Sequence, residues 1–195
     1  MRVLTLIIIS FCFSGCFSSI CSEKTYNEQL LHDLQYILSK EDKNELKYIA
    51  KTDSQAAAYI EQFWSSLDPD TTTEENEYRV MYEQRVQYAK VHFATSCGWG
   101  NSDRARVFMI YGPPATVEIF PWTEDYLANG MSLKSYEVWV YNETSDITDI
   151  PHRFEQIFPN MQKFIFADKS GVGIYDLIFS TVQDEHRDPY SLWLD

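Results

Sequence analysis

Residues 77–114 read EYRVMYEQRVQYAKVHFATSCGWGNSDRARVFMIYGPP, and a change of hydrophobic period inside that stretch decides the fold. In its first half Tyr78, Met81, Tyr82, Arg85, Val86, Ala89, His92 and Phe93 recur at helical spacing, which marks the stripe of one long helix. That helix is expected to open near Thr73, where Glu74 and Glu75 suit its positive end, and to run to about Ala94. After Gly98-Trp99-Gly100-Asn101 the period becomes two. Val107, Met109 and Tyr111 would share one face of a strand from Arg106 to Tyr111, stopped by Gly112-Pro113-Pro114.

Working outward toward the N-terminus, the pattern stays helical. Leu30, Leu31, Leu34, Ile37 and Leu38 form one stripe from Asn27. Glu41 to Lys51 continues as a more charged helix with Leu46 and Ile49 on one side, and Ser54 is placed to cap a third helix reaching Leu67. Toward the C-terminus the period is two in Lys134–Tyr141 and Gln162–Ala167. Asp168-Lys169-Ser170-Gly171 then makes a hairpin turn into a returning strand, Gly173 to Val182. Helices first and strands afterwards give an α+β fold, with N-terminal helices on one face of an antiparallel sheet of three to five strands. The expected organisation is a signal over 1–15, a tether over 16–26 and one domain over 27–195, helical over 27–95 and sheet over 104–182.

Composition sets the outer bounds. The chain has 195 residues, 45% hydrophobic and 23% charged, which suits one globular domain. A formal charge of −13 opposes nucleic acid, and opposes charge-driven binding to anionic lipid. The first sixteen residues, MRVLTLIIISFCFSGC, carry an apolar run too short to cross a bilayer and suited to a secretory signal. Phe13-Ser14-Gly15-Cys16 resembles the lipobox of bacterial lipoproteins, which implies cleavage before Cys16 and a diacylglyceryl anchor on its sulfur. Gly15 provides the small residue that cleavage needs, whereas Phe11 and Ile20 would stand before Cys12 and Cys21. Phe17 after Cys16 stands without the Asp that resembles an inner-membrane retention signal, so the lipoprotein resemblance implies the outer membrane, on its periplasmic side. A plain secretory signal with an incidental Cys is the alternative.

With Phe63-Trp64, Leu67-Asp68-Pro69-Asp70-Thr71, Asn76-Glu77-Tyr78-Arg79, Arg85-Val86 and Tyr88-Ala89, and on through the segment after the long helix, the chain from Tyr59 to Trp193 resembles the GWxTD-domain proteins of bacterial envelopes. The naming motif stands as Gly98-Trp99-Gly100-Asn101-Ser102-Asp103, followed by Arg104-Ala105-Arg106-Val107 and Tyr111-Gly112-Pro113-Pro114. Glu137-Val138-Trp139-Val140-Tyr141, Phe164-Ile165-Phe166 and Gly173-Ile174-Tyr175-Asp176-Leu177 continue it. This chain has one residue more between Trp99 and Asp103, Ser102 for the family's Thr, Ala105 for its usual Gly and Phe179 where a His is common. The order of elements is also similar to that of the BamE/SmpA lipoproteins, which implies an adaptor rather than an enzyme.

Candidate functional residues gather after the long helix. Trp99, Asp103, Arg104, Arg106 and Trp122 are read as a loop surface, with the Arg fork suited to a carboxylate or phosphate. The competing reading of Asp103, Arg104 and Arg106 is a helix-to-strand corner tied by an Asp–Arg pair. His92 and Cys97 lack a third group to orient a catalytic pair, and Cys21 and Cys97 make no disulfide framework. Asp68, Asp70, Thr72, Glu74 and Glu75 lack the Gly and the final Glu of a calcium loop, and the four His have no zinc spacing. No cofactor or metal is expected. The expectation is a lipid-anchored, non-catalytic adaptor that binds an envelope protein. Its rival is an enzyme on an envelope polymer using Glu118 or Asp103, and a third reading is a bare scaffold.

Overall fold

A computed structural model describes residues 25–95, 98–121, 130, 132–142, 161–182 and 185. Five α-helices and one π-helical turn precede four strands: α1 Tyr26–Asp33, α2 Lys40–Asn44, the π turn Glu45–Ile49, α3 Asp53–Ser65, α4 Glu77–His92, α5 Asp103–Tyr111, β1 Thr116–Pro121, β2 Ser135–Tyr141, β3 Gln162–Asp168 and β4 Asp176–Ser180. The fold is α+β, as the pattern of periods implies.

Local chemistry sets where the helices begin. Thr25 with Glu28, Ser39 with Asp42 and Thr52 with Gln55 each form a reciprocal capping box. Thr52, not Ser54, is therefore the cap of α3. Asn76 caps α4 by accepting from Arg79 N–H, and its own Nδ2 donates to Trp64 O at 2.7 Å, which joins the end of α3 to the start of α4. The long helix thus opens at Glu77, three residues later than Glu74 suggests.

The strand expected over Arg106–Tyr111 is a helix. Ser102 accepts from Ala105 N–H as an N-cap, and Asp103 sits in the first turn. Val107, Phe108, Met109 and Tyr111 are all buried, so both faces of the supposed alternation are apolar. Such a run does not distinguish a buried strand from a buried helix. The cap does. β1, by contrast, was not anticipated and forms from the alternation Thr116-Val117-Glu118-Ile119.

The strands make one antiparallel sheet in the order β1-β2-β3-β4. Trp139 lies opposite Phe164, and Val138 opposite Ile165, with a register shift between Ile165 and Phe166. Trp139, Tyr141, Phe164, Phe166 and Leu177 share the main core with the helices. Leu133, Tyr136, Ile165, Ala167 and Ile178 form a smaller cluster on the opposite face. Between α1 and α4, Tyr82 Oη donates to Asp33 O at 3.0 Å, and Lys90 pairs with Asp33 at 2.8 Å. Tyr141 Oη donates to Gly112 O at 2.9 Å, tying the end of α5 to the sheet.

Candidate functional site

The segment after α4 folds inward. Thr95 and Gly98 exchange backbone hydrogen bonds of 3.0 and 3.1 Å, and Gly98 holds φ at 109°, which glycine tolerates. Trp99 is only 3% exposed, although its segment is irregular. Its indole meets His32 edge-on at 5.3 Å and lies 6.1 Å from Tyr36, both from the region of α1. Gly100 is the neighbour that permits this approach. A methyl group there would fall 2.8 Å from His32 Nε2 and overlap the Gln35 amide, while Tyr36 Oη donates to Gly100 O at 2.7 Å. Ser102 then starts α5, and Asp103 Oδ2 accepts from Leu177 N–H at 2.8 Å. Six residues thereby lock α1, α5 and β4 together.

The two arginines complete that joint. Arg104 Nη1 donates to Glu137 Oε1 at 2.8 Å, and its guanidinium stacks 4.0 Å over the Tyr175 ring and 5.3 Å over Phe93. The other Glu137 oxygen accepts from Trp139 Nε1 at 3.0 Å. Arg106 Nη1 lies 2.6 Å from both Glu185 oxygens, and its Nε is 3.6 Å from Asp103 Oδ1. Burial disfavours the Arg106 charge, but Glu185 and Asp103 more than offset that, so its pKa stands above the usual arginine value. The geometry is that of a corner: Asp103 pairs with Arg106 and accepts from Leu177 N–H, joining a helix start to the sheet. The corner differs from expectation only in that the element entered is α5.

A cleft of about 290 Å³ remains beside the joint, lined by Thr95, Asn101, Ser102, Asp103, Arg104 and Tyr175 among others. Its polar groups are mostly committed: Ser102 to the helix cap, Asp103 to Leu177 and Arg104 to Glu137. Buried Trp99 Nε1, His32 Nε2 and Arg104 Nε find no hydrogen-bond partner among the described residues. Glu118 lies elsewhere, exposed on β1 opposite Val138, so it and Asp103 occupy separate elements. His92 stacks on Tyr88 at 4.1 Å on the exposed side of α4. Asp70 accepts from Thr72 N–H and Oγ1 and so closes a turn ahead of α4. Trp122, Cys16, Cys21 and Cys97 lie outside the described residues.

A profile described as the GWxTD domain matches residues 19–167. The chain belongs to this family. No curated protein and no solved structure matches it. In this GWxTD domain the motif residues carry distinct structural tasks: Gly98 turns the chain, Trp99 wedges under α1, Ser102 caps α5 and Asp103 holds β4. Gly100 and Asn101 form a turn closed by Ser102 N–H donating to Trp99 O at 3.2 Å.

A further outward-facing apolar group lies on β1. All six residues of β1 are exposed, with Val117 at 44%, Ile119 at 61% and Phe120 at 38%. β1 is the outermost strand of the described sheet at that edge. The signal for this strand in the sequence is Thr116-Val117-Glu118-Ile119, which carries the same period of two as Lys134–Tyr141.

Proposed function

We propose that this GWxTD-domain protein is a lipid-anchored, non-catalytic binding protein of the bacterial envelope. Cys16 would carry the anchor and hold the body on the periplasmic side of the outer membrane, with an envelope protein as partner. The observation that carries the binding role is β1, which presents Val117, Ile119 and Phe120 to the outside at an edge of the described sheet. An edge strand offers unpaired backbone groups in register with alternating side chains, the means by which one chain adds a strand to another. The surface around Trp99, Asp103, Arg104 and Arg106 is reassigned in this reading: those side chains hold the fold, and recognition moves to β1.

The test is site-specific crosslinking in intact cells. A photoreactive benzophenone amino acid in place of Ile119 is expected to yield one discrete heavier species containing an envelope protein. The same group in place of Trp99 is expected to yield none. Partner capture at residue 99 and silence at residue 119 would overturn the assignment of the surface.

A further inference from the structure

We propose that the end of the body carrying Tyr26, Tyr48 and Ile49 is the face laid on the lipid bilayer, with Lys47 and Lys51 at its rim. The inference rests on the Cys16 anchor proposed above and adds which side of the body meets the membrane.

The cause begins with the π turn. Ala50 N–H donates to Glu45 O, five residues back, at 2.9 Å, so this turn holds one residue more than an α-helical turn. Leu46 points fully inward, and the wider turn brings Ala50 onto its side at 8% exposure. Ile49, which ordinary helical spacing would bury beside Leu46, is instead turned out at 60%, next to Tyr48 at 57%. This departs from the expected Leu46–Ile49 face and leaves two large apolar side chains exposed in succession.

Asn27 fastens the start of the described chain to the same place. Its Nδ2 donates to Leu46 O at 3.0 Å and to Ala50 O at 2.9 Å, so the first turn of α1 lies across the end of the π turn. Tyr26, 43% exposed, is held at that end. Only eight residues lie between Cys16 and Thr25, a reach of at most roughly 30 Å. A lipid on Cys16 therefore keeps this end of the body close to the headgroups, whatever path the intervening chain takes.

The side chains match that environment. Tyrosine pairs an apolar ring with a polar tip and is enriched where bilayer meets water. Lys47 Nζ sits 5.2 Å over the Tyr48 ring, and Lys51 Nζ donates to the Tyr48 backbone carbonyl, so both ammonium groups stand close to Tyr48. The overall charge of −13 repels an anionic surface, so charge alone does not bring this body to lipid. The diacylglyceryl group proposed on Cys16 already supplies two acyl chains for attachment, so this face sets how the body sits on the membrane.

The test places the benzophenone amino acid at Tyr48 in the full acylated chain, in vesicles of phosphatidylethanolamine and phosphatidylglycerol and in cells. The expected result is a phospholipid adduct on the peptide containing residue 48, and none from a control at exposed Val172 in the β3–β4 hairpin. An Ile49→Ser substitution should lower the adduct yield several-fold. No lipid adduct from residue 48 in vesicles, or a protein adduct there in cells, overturns the proposal. The mass of the N-terminal peptide from the same sample separates the two ideas. If Cys16 is acylated and residue 48 gives no lipid adduct, the face is wrong and the anchor stands. If Cys16 is bare, the anchor reading falls, and the bare chain mixed with the same vesicles tests the face by the same adduct.

Discussion

Replacing Trp99 by Ala separates a structural joint from a binding surface. The indole is 3% exposed and fills the space between His32, Tyr36 and the start of α5. Truncating a buried Trp loses transfer free energy and leaves a void, a cost of about 3–5 kcal/mol. Against a typical total of about 5–15 kcal/mol, that is a large share. With a urea slope of about 2 kcal/mol/M, the unfolding midpoint should fall by about 2 M while the slope stays unchanged. Tyr36→Phe, which removes only the bond to Gly100 O, should cost about 0.5–1.5 kcal/mol. Urea unfolding followed by circular dichroism reads both. A Trp99→Ala protein with an unaltered midpoint that had lost its partner crosslink would refute the reasoning and restore Trp99 to the surface.

Other expectations concern the same joint and the hairpin. Glu137→Ala strands the Arg104 guanidinium, whose pair is only 14% and 11% exposed, and should destabilise by about 3–5 kcal/mol. The Arg104→Ala, Glu137→Ala double variant should lose less than the sum of the two, measured by a double-mutant cycle. Gly112 adopts φ 75°, ψ −164°, a region essentially restricted to glycine, and a methyl group there would sit 2.7 Å from Arg85 Nη2. Gly112→Ala should therefore lower stability by about 1–3 kcal/mol in thermal unfolding, and a neutral effect would contradict the strain. Burial alone would raise the Asp168 pKa, but N–H groups of Gly173, Gly171 and Ser170 outweigh it and hold the carboxyl below the usual value of 3.8. Its contribution is thus present above the unfolded pKa and is lost as pH falls through the depressed folded one. Asp168→Asn should be less stable than the parent near neutral pH, with the gap closing below about pH 4; a gap independent of pH would count against the assignment.

Much of the fold is written in periodicity. α4 and the three strands β2, β3 and β4 show their repeats plainly, because each has one apolar and one wet or differently packed side. α5 is not legible that way: Val107 to Tyr111 is apolar throughout, and only the Ser102 cap distinguishes helix from strand. The outward turn of Ile49 depends on hydrogen bonding of π type, which no residue in Glu45–Ile49 signals. The site was harder. Trp99 stands in an irregular segment, and exposure was the natural inference; the missing side chain of Gly100 instead lets His32 and Gln35 close over it. Arg106 finds Glu185 far along the chain, a pairing that spacing does not encode.

The measurement that bears most directly on the whole account is the mass of the mature N-terminal peptide from protein recovered with outer membranes. The account predicts a chain that begins at Cys16 and carries a diacylglyceryl group on its sulfur. A chain that retains Met1, or that is recovered free of lipid from the soluble fraction, would contradict it.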